Sequence, residues 1–273
     1  SSPAVAGGLV YVGSWDGKVY CLNAATGAKV WSYATFGGVE SSPAVVNGVV
    51  YVGSNVGKIY AFGSAPLVTS FSASPNPFSP NNDGVKDNTT IKATFNVVVN
   101  WNLQVRSSSG TTLRTWTGTG TSLSVVWNGK NSTGFTVPDG TYTVRLSGKD
   151  TLGVAFTTKS STVTVDTKKP TVTSVSVIPT SFNPTKAQTT RINYTLSESC
   201  YVTIKIYNSI GALKRTLLNN VLQTSGLHSV VWNGKASSNL IVLPGTYTIK
   251  IYVIDKAGNK ATSYPITKTV TVT

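Results

Sequence analysis

The chain has 273 residues, with 23 Lys and Arg against 9 Asp and Glu, a net charge of +14 and one histidine. The one His has no Cys and no carboxylate pair near it in the sequence, and the two cysteines are Cys21 and Cys200, so neither a zinc site nor a Ser/His/Asp triad is expected, and a non-enzyme is. There is no Met, no signal-like start and no apolar run near the ~18 residues of a membrane-spanning helix, which reads as a processed or excised piece.

The first 62 residues repeat at an offset of 40. Ser1-Ser2-Pro3-Ala4-Val5 returns as Ser41-Ser42-Pro43-Ala44-Val45, and Val10-Tyr11-Val12-Gly13-Ser14 as Val50-Tyr51-Val52-Gly53-Ser54. Gly17-Lys18-Val19-Tyr20 returns as Gly57-Lys58-Ile59-Tyr60. A period near 40 with several short strands is the pattern of propeller blades, and a closed propeller needs roughly four to eight of them. Fewer than two are present. The second blade has strands near residues 43–46, 49–53 and 58–62 but lacks a partner for residues 28–33. Positions such as Val10, Val12, Val50 and Val52 are expected to lack a neighbouring blade. Cys21 aligns with Ala61 at a small inward-facing position, and Cys200 opens a strand in another domain; both read as small buried thiols.

Ser64-Ala65-Pro66 and Thr167-Lys168-Lys169-Pro170 are joints, dividing the chain into residues 1–64, 67–167 and 171–273. The last two segments repeat each other. Val125-Val126-Trp127-Asn128-Gly129-Lys130 returns as Val230-Val231-Trp232-Asn233-Gly234-Lys235, and Gly140-Thr141-Tyr142-Thr143 as Gly245-Thr246-Tyr247-Thr248. Asn-Gly pairs are hairpin signals because both residues tolerate positive φ. Strand-period alternation, as in Thr203-Ile204-Lys205-Ile206-Tyr207, runs throughout, so the fold class is all-β: an incomplete β-propeller of about two blades followed by two sandwiches of about 100 residues each. Trp127 and Trp232 close Val-rich strands and are expected in the cores.

Residues 171–273 carry ten basic and two acidic residues, a net +8. That charge suits an anionic partner such as a cell-wall polymer or acidic polysaccharide. The basic residues alternate along strands and are not interleaved with aromatics as a base-stacking platform would require, so no specific nucleic acid is expected. His228, before the Val-Val-Trp strand, is placed at a rim, and Asp16, Asp150 and Asp255 in turns. The loop Pro80-Asn81-Asn82-Asp83-Gly84-Val85-Lys86-Asp87-Asn88 groups oxygen-bearing side chains around a glycine. Asn81, Asp83, Asp87 and the Val85 carbonyl are the candidate calcium ligands, with a structural ion at the entry to the second domain near the blades; a plain Asx-turn loop is the alternative.

Residues 13–20 together with Asn23-Ala24-Ala25-Thr26-Gly27-Ala28-Lys29-Val30-Trp31 resemble the quinoprotein-type (PQQ-like) propeller repeat. The resemblance implies that Trp31 docks on the neighbouring blade. The vicinal cysteines and calcium-binding set of the quinone enzymes are absent, so no PQQ is expected. Residues 67–273 resemble the immunoglobulin-like domain of flagellar hook-capping proteins, through Asn76-Pro77-Phe78-Ser79-Pro80 with Thr89-Thr90-Ile91, Trp-Asn-Gly and Gly-Thr-Tyr. The third domain keeps Phe182-Asn183-Pro184 and Arg191-Ile192. That resemblance implies a structural or docking unit without catalytic residues. The expected whole is a non-catalytic region of a large prokaryotic extracellular or cell-surface protein: scaffold, stalk or adhesion module. Its expected partners are other copies or upstream blades of the same protein. A self-assembling subunit of an extracellular filament or surface layer, and an accessory C-terminal region of a secreted enzyme, are the alternatives.

Overall fold

The structure is a computed structural model that describes residues 1–46, 48–63 and 65–273. Ser64, the last residue of the expected propeller segment, lies outside the described residues. Strands β1 (Ala4–Ala6), β2 (Leu9–Gly13), β3 (Lys18–Asn23) and β4 (Lys29–Ala34) form one antiparallel sheet in that order. The Asn23 side chain accepts the N–H groups of Ala25 and Thr26, an Asx turn that aims the chain into β4. Strands β5 (Ala44–Val46), β6 (Val49–Ser54) and β7 (Lys58–Phe62) repeat this sheet without its fourth member.

The two blades pack face to face around Tyr11, Val19, Cys21, Val39, Val50 and Val52. Gly13 is required at this contact: a Cβ there would stand 2.3 Å from Val39 Cγ1. Trp31 of β4 lies 5.2 Å from Phe62 of the next blade and 6.2 Å from Tyr11, ring centre to ring centre. Of the valines expected to lack a neighbour, Val50 and Val52 are buried, because the first blade covers them; Val10 and Val12 stay half-exposed.

The second domain is one curled sheet. Its strands are β8 (Val68–Ser74), β9 (Thr89–Arg106), β10 (Thr112–Trp127), β11 (Gly140–Asp150) and β12 (Lys159–Val165), ordered β10-β9-β11-β12 with β8 also on β9. The 18-residue β9 serves both layers: its first half pairs with β8, its second half with β11, and β10 follows it throughout with a register shift between Gly120 and Ser122.

The third domain breaks the same course into separate strands. β13 (Val172–Ile178), β14 (Ser181–Phe182), β15 (Thr190–Leu196), β16 (Cys200–Tyr207), β17 (Leu213–Gln223), β18 (Gly226–Trp232), β19 (Gly245–Asp255) and β20 (Ile266–Val272) form two sheets, β13-β15-β18 and β14-β20-β19-β16-β17. A 3-10 turn at Pro184–Lys186 is the one helical piece among the described residues. The fold is all-β, an incomplete propeller followed by two immunoglobulin-like sandwiches.

Both sandwiches are built on one aromatic trio. Trp127 stands edge-on to Phe78 and Tyr142, and Trp232 to Phe182 and Tyr247, at centroid distances of 5.3 to 5.6 Å. Each indole N–H donates to a backbone carbonyl, of Lys130 at 2.9 Å and Lys235 at 3.1 Å. The Trp-Asn-Gly and Pro motifs meet in space. Gly129 and Gly234 both sit at φ +70°, and a Cβ on either would be 2.6 Å from Pro80 or Pro184. Two distant sequence motifs are thus the two sides of one contact.

Candidate functional site

The site with the densest buried polar chemistry is the joint between the two sandwiches. β12 ends at Val165; the Asp166 N–H donates to the Phe78 carbonyl at 3.0 Å, which anchors the start of the linker. The turn after β19 then inserts Asn259, which is 1% exposed, into the joint. Its amide oxygen accepts the Ser79 hydroxyl at 2.7 Å and the Asn81 amide at 3.2 Å. Its amide nitrogen donates to the Asp166 carbonyl and to Asp255 Oδ2, both at 2.8 Å. Its backbone N–H donates to Asp255 Oδ1 at 2.9 Å. One side chain therefore ties the second domain, the linker and the third domain together, with its amide oxygen and nitrogen each engaged twice.

The loop of residues 80–88 forms the other half of the joint. The expectation put this loop near the blades; it docks instead on residues 256–259 of the third domain, since Lys86 Nζ donates to the Lys256 carbonyl at 2.6 Å. Gly258, at φ +100°, leaves room for Val85, whose Cγ1 would be 2.8 Å from a Cβ there. Within the loop, Asp87 Oδ1 and Oδ2 accept the N–H groups of Asn82 and Gly84. Asp83 Oδ1 accepts that of Val85, and Asn81 Oδ1 that of Asp83. Of the candidate calcium ligands, Asn81 and Asp83 thus close Asx turns, Asp87 accepts two N–H groups from earlier in the loop, and the Val85 carbonyl faces Gly258.

The acidic oxygens that converge on one another belong to Asp166, Glu198 and Asp255, all within 4.8 Å. Sequence reading placed Asp255 in a turn; it caps that turn but is 1% exposed and lies at the centre of the joint. Burial, then the neighbouring Asp166 and Asp255, raise the Glu198 carboxyl above the ordinary glutamate value. Burial, then Asp255, raise that of Asp166. Burial and the same three carboxylates push the Cys200 thiol up to about 12, which leaves it an inert packing group. Such a trio can share a proton or take one hard cation. The three acids are dispersed over the sequence, so no local motif announces them.

Raised carboxyls bind protons more tightly in the folded state than in the unfolded one. Their contribution to stability is fully present below the unfolded carboxylate pKa and is lost as pH rises through the raised folded values. Glu198→Gln is therefore expected to stabilise the joint at neutral pH and to flatten this part of the pH dependence. Thermal unfolding of the variant and the parent chain across mildly acidic to neutral pH checks it.

A second surface corrects the expectation that the basic residues stand apart from aromatics. On β16 and β19, Lys205 pairs with Lys250, Tyr207 with Thr248 and Thr203 with Tyr252, so Lys and Tyr become diagonal neighbours. Lys250 Nζ lies 4.9 Å from the Tyr207 ring centre and Lys205 Nζ 6.0 Å from that of Tyr252. Lys260 lies 5.5 Å from Tyr264, which itself stands edge-on to Tyr252. Lys205 and Tyr207 already share one face of β16, and Lys250 and Tyr252 one face of β19; pairing of the two strands brings each Lys onto the other strand's Tyr. His228 is half-buried against Tyr194 and binds the Thr224 carbonyl at 2.8 Å.

Two family models match the chain. One, described as outer membrane protein assembly factor BamB and built on PQQ-like repeats, matches residues 1–115; the other, the FlgD Ig-like domain, matches residues 81–152. The first runs past the last blade strand into the sandwich. Phe71 stands 40 residues after Trp31, yet its strand, β8, pairs with β9 and not with β7. No curated protein matches. Among solved structures, PorZ, a bacterial surface component of the type-IX secretion system of Porphyromonas gingivalis, is 19% identical over 60% of this chain and 22% of its own, at a TM-score of 0.27. PorU of the same organism is 14% identical over 97% and 24%, at 0.31. The fibronectin(III)-like modules of Clostridium thermocellum CbhA are 13% identical over 76% and 92%, at 0.40. The chain thus spans about a fifth to a quarter of PorZ and PorU. It carries PQQ-like propeller repeats at its N-terminus, followed by an immunoglobulin-like domain that the flagellar hook-capping model matches over residues 81–152.

Proposed function

We propose that the chain is a non-catalytic structural region of an extracellular or cell-surface protein, in which the two sandwiches act as one stiff stalk carrying the blades. The observation that supports this reading is Asn259, a buried amide bonded at once to both sandwiches and to the linker between them. Domain interfaces within a chain usually permit relative motion unless a specific contact prevents it. Small-angle scattering of Asn259→Ala is expected to broaden the distribution of maximum dimensions while circular dichroism stays unchanged. A distribution as narrow as that of the parent chain would remove the stalk reading.

Attachment to an anionic polymer is supported by the Lys205, Lys250, Tyr207 and Tyr252 face on a domain of net charge +8. Binding of acidic polysaccharide is expected to weaken as the Debye length contracts from about 10 Å in about 0.1 M salt to about 3 Å in about 1 M. Lys205→Gln with Lys250→Gln should weaken it further at low salt. Binding indifferent to both salt and these substitutions would exclude the face.

A further inference from the structure

The second domain has a cation face of its own, apart from the Lys205–Lys250 face of the third. Along β9, Leu103 and Val105 are 0% exposed, so Asn102, Gln104 and Arg106 turn outward. Along β11, Val144 and Leu146 are 0% exposed, which turns Arg145 outward in the same way. Arg145 pairs with Gln104, Ser147 with Asn102 and Thr143 with Arg106. Diagonal neighbours on paired strands lie about 7–8 Å apart, so Arg106 and Arg145 stand side by side. On the other flank of β9, Thr115 is opposite Gln104 and Thr117 opposite Asn102. Hydroxyls and amides thus frame the two guanidinium groups, and no acid is among these partners.

This face does not satisfy its own polar groups. Arg106 Nε and Asn102 Oδ1 are closed to water and have no hydrogen-bond partner among the described residues, although both side chains are only half-buried. Polar atoms in that state are ordinarily paired. Arg106 Nε is a donor, which suits a carboxylate oxygen; Asn102 Oδ1 is an acceptor, which suits a hydroxyl. The two residues are about 13 Å apart along the strand. A chain of acidic sugars offers carboxylates and hydroxyls at that kind of spacing, whereas a polyphosphate offers acceptors alone.

The duplication places a cation at the same point in both sandwiches. Arg145 is the counterpart of Lys250, and Gln104 and Arg106 are those of Lys205 and Tyr207. Arg145 with Gln104 and Lys250 with Lys205 are the same cross-strand pair. The surroundings differ. Where the third domain has Tyr207 and Tyr252, the second has Arg106 and Ser147, so its face works by charge and hydrogen bonds without rings.

We propose that the outer face of β9 and β11 in the second domain binds a uronate-bearing polysaccharide through Asn102, Gln104, Arg106 and Arg145. The two planar guanidinium groups hold carboxylates by paired N–H bonds, and the two amides take hydroxyls. This extends the anionic-polymer reading to a second domain, with residues that the first face does not share. The two sandwiches are then two grips on one polymer.

The test is calorimetric binding of polygalacturonate to the full chain, beside its neutral methyl ester and polyphosphate. Arg106→Gln with Arg145→Gln is expected to weaken polygalacturonate binding at least about tenfold, through loss of charge-assisted hydrogen bonds. Circular dichroism checks the fold, and Arg145→Gln alone, at a half-exposed position, should show a smaller loss in the same direction. Asn102→Ala should weaken binding of polygalacturonate and leave that of polyphosphate unchanged. In a Lys205→Gln, Lys250→Gln background, binding should persist until the two arginines are also replaced, which separates failure of this face from failure of the third-domain face. No binding in that background, binding there that is indifferent to the arginines, an ester that binds as tightly as the acid, or polyphosphate binding that depends equally on Asn102 would each overturn the proposal.

Discussion

Trp127→Ala and Trp232→Ala are each expected to destabilise their own sandwich by about 3–5 kcal/mol, the cost of truncating a buried Trp to a methyl. Both indoles are fully buried, and each is wedged between a Phe from the domain's opening motif and a Tyr from the Gly-Thr-Tyr strand. Removing one leaves a cavity between two sheet layers that other core strands hold apart, so collapse is limited. It also orphans a carbonyl, of Lys130 or Lys235. Trp→Phe at either position refills most of the volume and isolates the loss of that hydrogen bond, about 1 kcal/mol. Chemical unfolding checks this: Trp101 and Trp116 report on the second domain of Trp127→Ala by fluorescence, while Trp232→Ala, which leaves the third domain without a tryptophan, is followed by circular dichroism. A loss below about 1 kcal/mol for Trp→Ala would mean that the indole is not a core residue.

The second large effect is expected at Asn259. Replacing it by Ala strips one donor from the Asp255 carboxylate, one from the Asp166 carbonyl and an acceptor from the Ser79 hydroxyl, in a place closed to water; the backbone N–H bond to Asp255 remains. Each orphaned buried group costs about 1–3 kcal/mol, more where the group is charged. Asp255 then faces Asp166 and Glu198 with less to offset their repulsion. Asn259→Asp should be worse than Asn259→Ala, because both lose the two donated side-chain N–H bonds and Asp also adds a fourth acid to the cluster. Unfolding midpoints in the order parent, Ala, Asp check the assignment; an Asp variant as stable as the parent would contradict it. The same substitutions act on the joint and on the third domain, not on the blades, which share no hydrogen bond with Asn259 among the described residues.

The repeats, the strand period and the Asn-Gly turns are local, and local patterns survive in one dimension. They determined the class, the blade-like N-terminus and the duplicated sandwiches, including Trp127 and Trp232 as equivalent core residues. The Pro-Phe-x-Pro and Trp-Asn-Gly motifs were visible too, but their contact was not: Gly129 meets Pro80 only after β9 and β10 have paired. The joint lay further out of reach. Ser79, Asp166, Glu198 and Asn259 come from four separate segments, and a polar residue is buried only where a fold closes over it. Nothing in Asp255-Lys256-Ala257-Gly258-Asn259 distinguishes a solvated turn from one pressed against another domain. The placement of the residue 80–88 loop failed for the same reason, since its nearness to the blades in sequence was no guide to its partner in space. Tertiary structure alone decided which faces of the blades are covered and which are bare. Val10 and Val50 are identical in type and in strand position, and only the presence of a neighbouring sheet makes one half-exposed and the other core.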